Sequence, residues 1–247
     1  MAIKVKWCGI DFGQCLMDPS GLRNYLVIGD VCKELGEPEF IDERIHRYRV
    51  LKEKYGSYGA VKEGHRDEIL RYVFDNNQEA MSLFSAKEQE FLKLADGVEQ
   101  ALIYLKQEGI DICVVAELKK TLGLMGSDVV TRFLQNQNLV QYFSKVITPQ
   151  GMVNLKDGSI DMSYKGLTKG EGTLYDRLAE DLLGDGIKPS EAVIIGDKIL
   201  TDIEQPRKRG FETIQYTGFV NAGASSADYV ISSFSQLREI VKGKTDA

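Results

Sequence analysis

Apolar and polar positions change rhythm three times along this chain. Ile3 to Ile10 is a short β-rich stretch that stops at Asp11, and Phe12-Gly13-Gln14 follow as a turn. A buried strand therefore delivers a carboxylate to a loop, which is where α/β sheets bind ligands. From about Pro19 to Lys93 the spacing becomes helical, as in Leu22, Leu26, Ile28, Val31 and Leu35, and again in Ile69, Leu70, Val73 and Phe74. No strand is predicted there. Ser85 followed by Glu88 has capping-box spacing and predicts the start of a further helix, with Phe91, Leu92 and Leu94 facing inward.

After Gly97 the pattern alternates. It predicts helix 97–108, strand 110–116, helix 127–137, strand 144–148, helix 171–183 and strand 192–196. Strands at Glu212–Tyr216 and Asp228–Ile231 close the series, and Ser233 with Gln236 caps a last helix. Strands and helices taking turns imply βαβ crossovers, hence an α/β fold with a Rossmann-like parallel sheet and helices on both faces. Residues 1–18 and 96–247 then form the core, and 19–95 are an all-helical insertion after the first strand. A length of 247 residues suits a core with a smaller lobe.

With 43% apolar and 28% charged residues the chain has enough material for a buried core, and it is not disordered. Its net charge of −6 argues against nucleic acid or an anionic membrane as a partner. No apolar run reaches the ~18 residues of a spanning helix, and Met1 to Gly9 lacks the apolar core of a secretory signal, so a cytoplasmic location is expected. Cys8, Cys15, Cys32 and Cys113 show no CxxC spacing, and with only His46 and His65 beside them a structural zinc site lacks ligands. Reduced thiols are expected, and Cys15 is expected to be a buried one.

Three clusters can carry chemistry. Asp11, at the carboxyl end of a strand, suits a nucleophile or a metal ligand, although the same letters would serve an Asx turn. Gly196-Asp197 followed by Asp202 ends an apolar strand in a sharp turn with two hard oxygen ligands, which suits Mg²⁺; a simple strand-to-helix turn would read the same way. Lys169, at the start of a helix leading back to that strand, is placed to neutralise a phosphate or a carboxylate, or else is a solvated lysine. In the insertion, Tyr48, Tyr55, Tyr58, His65 and Arg66, with Lys52, Lys54 and Lys62, form a basic-aromatic patch around Gly56–Gly59. It could grip an anionic substrate or be an ordinary solvated face.

Taken together, the early strand-Asp, the helical insertion, a second strand, a lysine and Gly-Asp-x4-Asp resemble the haloacid dehalogenase-like hydrolase superfamily over nearly the whole chain. The resemblance implies that Asp11 is the nucleophile, Lys169 the charge-balancing lysine, and Asp197 with Asp202 the acidic pair of a Mg²⁺ site. Asp11 and the main-chain carbonyl of Gly13 would complete that site. It also implies that the insertion is a substrate-selecting cap and that the substrate is a small anionic molecule, in the phosphatase branch a phosphorylated metabolite cleaved through an aspartyl-phosphate.

Two positions depart from the family pattern. The general acid and base expected two residues after the nucleophile is Gly13, and the hydroxyl expected after Ile112-Cys113-Val114-Val115 is replaced by Ala116, with Thr121 the nearest hydroxyl downstream. Glu117 could repel a phosphate or could supply the carboxylate that Gly13 lacks. Two other readings therefore stand beside the phosphatase: a non-catalytic or regulatory binding protein on the same fold, and a 2-haloacid dehalogenase-type hydrolase. Oligomeric state is not encoded in any of these features.

Overall fold

The structure, a computed structural model, describes residues 2–18, 24–55, 66–117, 125–126 and 128–244. By its internal contacts the chain divides into two compact units, Met1–Asp18 with Leu94–Ala247, and Pro19–Lys93.

The first unit is α/β. Its strands are β1 (Ile3–Val5), β2 (Trp7–Ile10), β5 (Asp111–Val115), β6 (Lys145–Thr148), β7 (Gly151–Asn154), β8 (Ile160–Asp161), β9 (Ala192–Gly196), β10 (Glu212–Tyr216), β11 (Tyr229–Ile231) and β12 (Val241–Gly243); two-residue strands β3 (Met17–Asp18) and β4 (Lys93–Leu94) lie where the chain passes between the units. The main sheet runs β11-β10-β9-β2-β5-β6-β7-β8. It is parallel from β11 to β6 and antiparallel through β7 and β8. β9 is buried at every position, as a strand covered on both faces must be, and this is why Ala192-Val193-Ile194-Ile195-Gly196 reads as an unbroken apolar run.

Helices α5 (Val98–Gln107), α6 (Val129–Asn136) and α7 (Thr173–Gly184) connect these strands. α6 starts at Asp128, whose carboxylate accepts from the Val130 and Thr131 amides at 2.9 Å each, satisfying donors the helix leaves unpaired. α7 buries Leu174, Tyr175, Leu178 and Leu182 against Trp7, Val115, Ile147 and Ile194 of the sheet and against Phe211, just before β10. Position 9 must be glycine for this packing: a Cβ there would lie 2.7 Å from the indole of Trp7, two residues back on the same face of β2, and 2.9 Å from Ile194 Cδ1.

Two features differ from the sequence expectations. Ile3–Ile10 is two strands rather than one. The Lys6 amide donates to Glu191 O at 2.7 Å, and Lys6 O accepts from Asp111 at 2.9 Å, so the chain steps sideways there; β1 pairs instead with β12 in a separate two-stranded sheet. β7, β8 and β12 were not expected. They run from two to four residues, too short for a periodic signal.

The second unit consists of α1 (Asn24–Glu34), α2 (Ile41–Tyr55), α3 (Arg66–Val73) and α4 (Gln78–Glu90). Its core is built from Val27, Ile28, Val31, Cys32, Leu51, Ile69, Leu70, Val73, Phe74, Ala80 and Phe84. Leu26, expected on the apolar stripe, is 43% exposed, and Val27 takes the inward position. The Ser85 capping box does not start a helix. Asn77 Oδ1 already accepts from the Ala80 amide at 3.1 Å, so α4 begins a full two turns earlier and Ser85 Oγ folds back onto Met81 O. Leu92 is buried and Phe91 packs on the same cluster, but both follow α4 rather than lying inside a helix that starts at Ser85. Tyr48 also packs against this core and accepts a hydrogen bond from Asn24. Tyr58, Lys62 and His65 of the basic-aromatic patch lie outside the described residues.

Gly9→Ala should overpack the contact between Trp7 and Ile194 and destabilise the protein by about 1–3 kcal/mol, read as a lower urea midpoint with an unchanged slope. An unchanged midpoint would show that the Trp7 indole is free to move aside.

Candidate active site

β2 is the point where the strand order reverses: the chain builds β5 and β6 on one side of it and β9, β10 and β11 on the other. Open α/β sheets bind ligands in the crevice beyond the carboxyl ends of the strands at such a point. Ile10 is in register with Val114 of β5 and Ile195 of β9, so the three strands finish level. Asp11 is the next residue, and its amide donates to Ile195 O at 2.8 Å, extending the ladder by one bond. The chain then turns back on itself. Met17 donates to Phe12 O (2.8 Å), Gln14 donates to Met17 O (3.1 Å), and Gln14 adopts a left-handed φ of 63°. Gly13 sits in this turn with open space where a side chain would point.

On the neighbouring strand, Gly196 is dictated by what lies against it. An added Cβ would be 2.4 Å from Asp202 Cβ, so only glycine lets the next turn close. That turn, Ile199–Glu204, is π-helical, and it brings Asp202 back to the strand end, where Asp202 Oδ2 accepts from the Lys198 amide at 3.0 Å.

Lys169 is buried and joins the two loops. Its Nζ lies 2.6 Å from Asp11 Oδ1, forms an ion pair with Asp202 Oδ1, and donates to Val115 O at 3.1 Å. Two hydrogen bonds and one ion pair therefore surround the ammonium. Burial opposes the ammonium charge, but Asp11 and Asp202 outweigh it and hold the lysine well above its ordinary value. Asp197 completes the group: Asp11, Asp197 and Asp202 each offer one oxygen, all within 4.8 Å of one another. Burial raises Asp11 to about 6 against the pull of Lys169, and burial with the charges of Asp11 and Asp202 raises Asp197 to about 7. Asp197 Oδ1 and Asp202 Oδ1 are both buried without a hydrogen-bond partner among the described residues, although Asp202 Oδ1 faces the Lys169 ammonium.

Three carboxylates against one ammonium leave an excess of negative charge, and an orphaned oxygen in such a place marks where a cation fits. The donors are hard oxygens, which suits Mg²⁺ better than a soft metal.

Ala116 directly follows β5 with its amide donating to Ile147 O at 2.9 Å, and its side chain offers only a buried methyl group. Glu117 reaches the Lys169 turn: its Oε2 accepts from the Lys169 amide at 3.2 Å. Lys119, Lys120 and Thr121 lie outside the described residues. Cys15 is buried with its thiol directed at Ile195 O (3.7 Å), and burial pushes it well up, which fits a packing role. The Val115 carbonyl and the Lys198 amide escaped the sequence reading because main-chain groups leave no letter in a sequence.

The Asp197 shift makes stability depend on pH. An exposed Asp titrates near 3.8 and the folded one near 7, so between these values the folded state holds a proton that the unfolded chain has released. In chelator, stability should therefore fall as pH rises from about 4 to about 7. Asp197→Asn should flatten that slope and stabilise the protein at pH 8; urea midpoints across the range test this, and an identical slope in the variant would refute it.

The profile of the haloacid dehalogenase-like hydrolase family matches residues 28–216, about three quarters of the chain. No curated protein matches it. Among solved structures, a HAD phosphatase from Thermococcus onnurineus is similar with a TM-score of 0.57 at 18% identity, covering 95% of this chain and 97% of that one. The HAD-hydrolase YfnB from Bacillus subtilis, bound to magnesium, gives 0.56 at 17%, covering 96% and 98%. The 2-haloacid dehalogenase of Pseudomonas syringae pv. Tomato DC3000 gives 0.53 at 18%, covering 95% and 97%. At these identities the structures establish a shared fold, while the profile match over most of the chain establishes descent, and the protein belongs to the haloacid dehalogenase-like hydrolases.

Proposed function

We propose that the protein hydrolyses a small phosphorylated metabolite with Mg²⁺, through an aspartyl-phosphate on Asp11. The observation that carries this reading is the surplus carboxylate. Lys169 donates to Asp11 and Val115 O and faces Asp202 as an ion pair, yet Asp197 Oδ1 and Asp202 Oδ1 are both left buried without a hydrogen-bond partner among the described residues. Carbon–halogen cleavage at Asp11 needs no second and third acid beside the nucleophile, whereas a phosphoryl site that holds a cation does. Asp11, Asp197, Asp202 and the Gly13 carbonyl would hold Mg²⁺, which when bound supplies positive charge to a developing phosphoryl anion. The magnesium-bound Bacillus subtilis structure of the same fold supports this assignment.

In the first step a carboxylate oxygen of Asp11 attacks phosphorus, and the bond to the substrate oxygen breaks, with the leaving oxygen taking a proton. In the second step water attacks phosphorus, inorganic phosphate leaves and Asp11 is restored. Lys169 keeps Asp11 ionised and offsets the approach of one anion to another. The helical unit Pro19–Lys93, inserted in the chain between Asp11 and β5, is in this reading the cap that selects the substrate. Four free cysteines, all buried, suit a cytoplasmic enzyme.

Both steps need a proton carrier, and Gly13 provides none. A general acid and base contributes about 10² to 10⁴-fold. Aryl phosphates, whose leaving groups need little protonation, should therefore react much faster than sugar phosphates. They should show a burst followed by slow turnover, because the second step has no such escape. Gly13→Asp should raise steady-state turnover, since the turn has open space for the new carboxylate. Glu117→Gln keeps an acceptor for the Lys169 amide and should slow turnover only if Glu117 acts as the base. Phosphate release with Mg²⁺, measured beside halide release from haloacids in chelator, is the deciding experiment. Halide alone would mean a dehalogenase, and neither product would mean a binding protein on this fold.

A further inference from the structure

Lys169 begins a turn with glycine at both Gly170 and Gly172. Glycine costs the most backbone entropy to order, so the turn that carries the buried ammonium is the part of the site least able to hold its own shape. Gly172 has φ 81°, and the Lys169 carbonyl accepts the Gly172 amide at 3.1 Å. Two side chains from beyond the Asp202 turn hold this segment from outside.

Gln205 directly follows Ile199–Glu204, and its Nε2 donates to Gly170 O at 2.9 Å. The amide can face only one way, because Oε1 accepts from Arg209 Nη1 at 2.8 Å. Arg209 Nη1 also donates to Gln205 O at 3.0 Å, and its Nε and Nη2 form a two-pronged pair with Asp176 at 2.6 and 2.9 Å. Asp176 lies in the first turn of α7, the helix that the Lys169 turn leads into. The guanidinium covers Gly172 so closely that a Cβ there would lie 2.3 Å from it. The chain Asp176–Arg209–Gln205–Gly170 therefore ties the turn bearing Asp202 to the turn bearing Lys169, the two residues that must meet.

We infer that Gln205 and Arg209 are positioning residues, a clamp that sets Lys169 against Asp202 and Asp11 and governs the chemical step without touching substrate. Its catalytic consequence rests on the hydrolase reading above; its effect on the turn does not. The clamp is not chiefly a stability device. Asp176 is 57% exposed on its side chain, and an ion pair with a partner so exposed contributes little to folding.

The test compares Arg209→Lys, which keeps the charge and loses the planar fork, Gln205→Met, which keeps the volume and loses the amide, and the double variant. Hydrogen exchange of peptides covering 168–173 should be several-fold faster in both single variants, with the strands of the main sheet unchanged and a melting temperature close to wild type. With Mg²⁺ and an aryl phosphate, kcat should fall by about 10- to 100-fold while KM stays within about twofold, as expected when a charged group is displaced by an ångström or less. The double variant should be no worse than the worse single one, because the two residues act through one contact. Unchanged exchange at 168–173, loosening spread over the whole sheet, or a faster-exchanging turn with full kcat would overturn the clamp. A wild-type protein that releases no phosphate would defeat the hydrolase reading instead, and the exchange experiment alone would then decide whether the clamp exists.

Discussion

The ammonium of Lys169 is the interaction on which the rest of the site depends. A lysine this deeply buried would ordinarily lose its charge, and two carboxylates this close would ordinarily share a proton. Each problem resolves the other: Asp11 and Asp202 hold the lysine charged, and the lysine keeps Asp11 from rising further than about 6. The cost is geometric, since a mutual solution of this kind tolerates little displacement. The structure meets that demand with main-chain groups at strand ends, Val115 O for Lys169, Ile195 O for the Asp11 amide and the Lys198 amide for Asp202.

Close approach is the second constraint, and it explains why small residues stand where they do. Gly196 lets Asp202 close onto the end of its own strand, and Gly9 makes room for the Trp7 indole beneath the site. Gly172 leaves space for the Arg209 guanidinium. In each case the space of a missing side chain is filled by another residue's functional or packing group, and at Gly172 the left-handed φ of 81° demands glycine as well.

Gly13 and Ala116 stand where the resemblance would expect a proton carrier and a hydroxyl, while Asp11, Lys169, Asp197 and Asp202 come together. On the proposed reading, a site of this kind would favour reactive phosphates or slow cycles. Glu117 occupies a telling place here, because its carboxylate is engaged with the Lys169 main chain and thereby fastens the end of β5 to the same turn that Gln205 holds from the other side.

Much of this was legible in the sequence. Alternating strands and helices after Gly97 announced a parallel sheet, and an apolar run ending in Gly196-Asp197 announced a buried strand with acids at its tip, because periodicity and strand-end carboxylates are local properties written in consecutive residues. Asp11, Lys169, Asp197 and Asp202 were each marked by their place at a strand or helix end. Their convergence was not: Lys169 and Asp11 are 158 residues apart, and only the strand order, with β9 and β5 flanking β2, brings them within hydrogen-bonding distance. The same holds for the break at Lys6, the true start of α4 after Asn77 and the Gln205–Arg209 clamp. Each was decided by a competition for hydrogen-bond partners between segments distant in the chain or between rival caps, and a linear pattern carries no record of which partner wins.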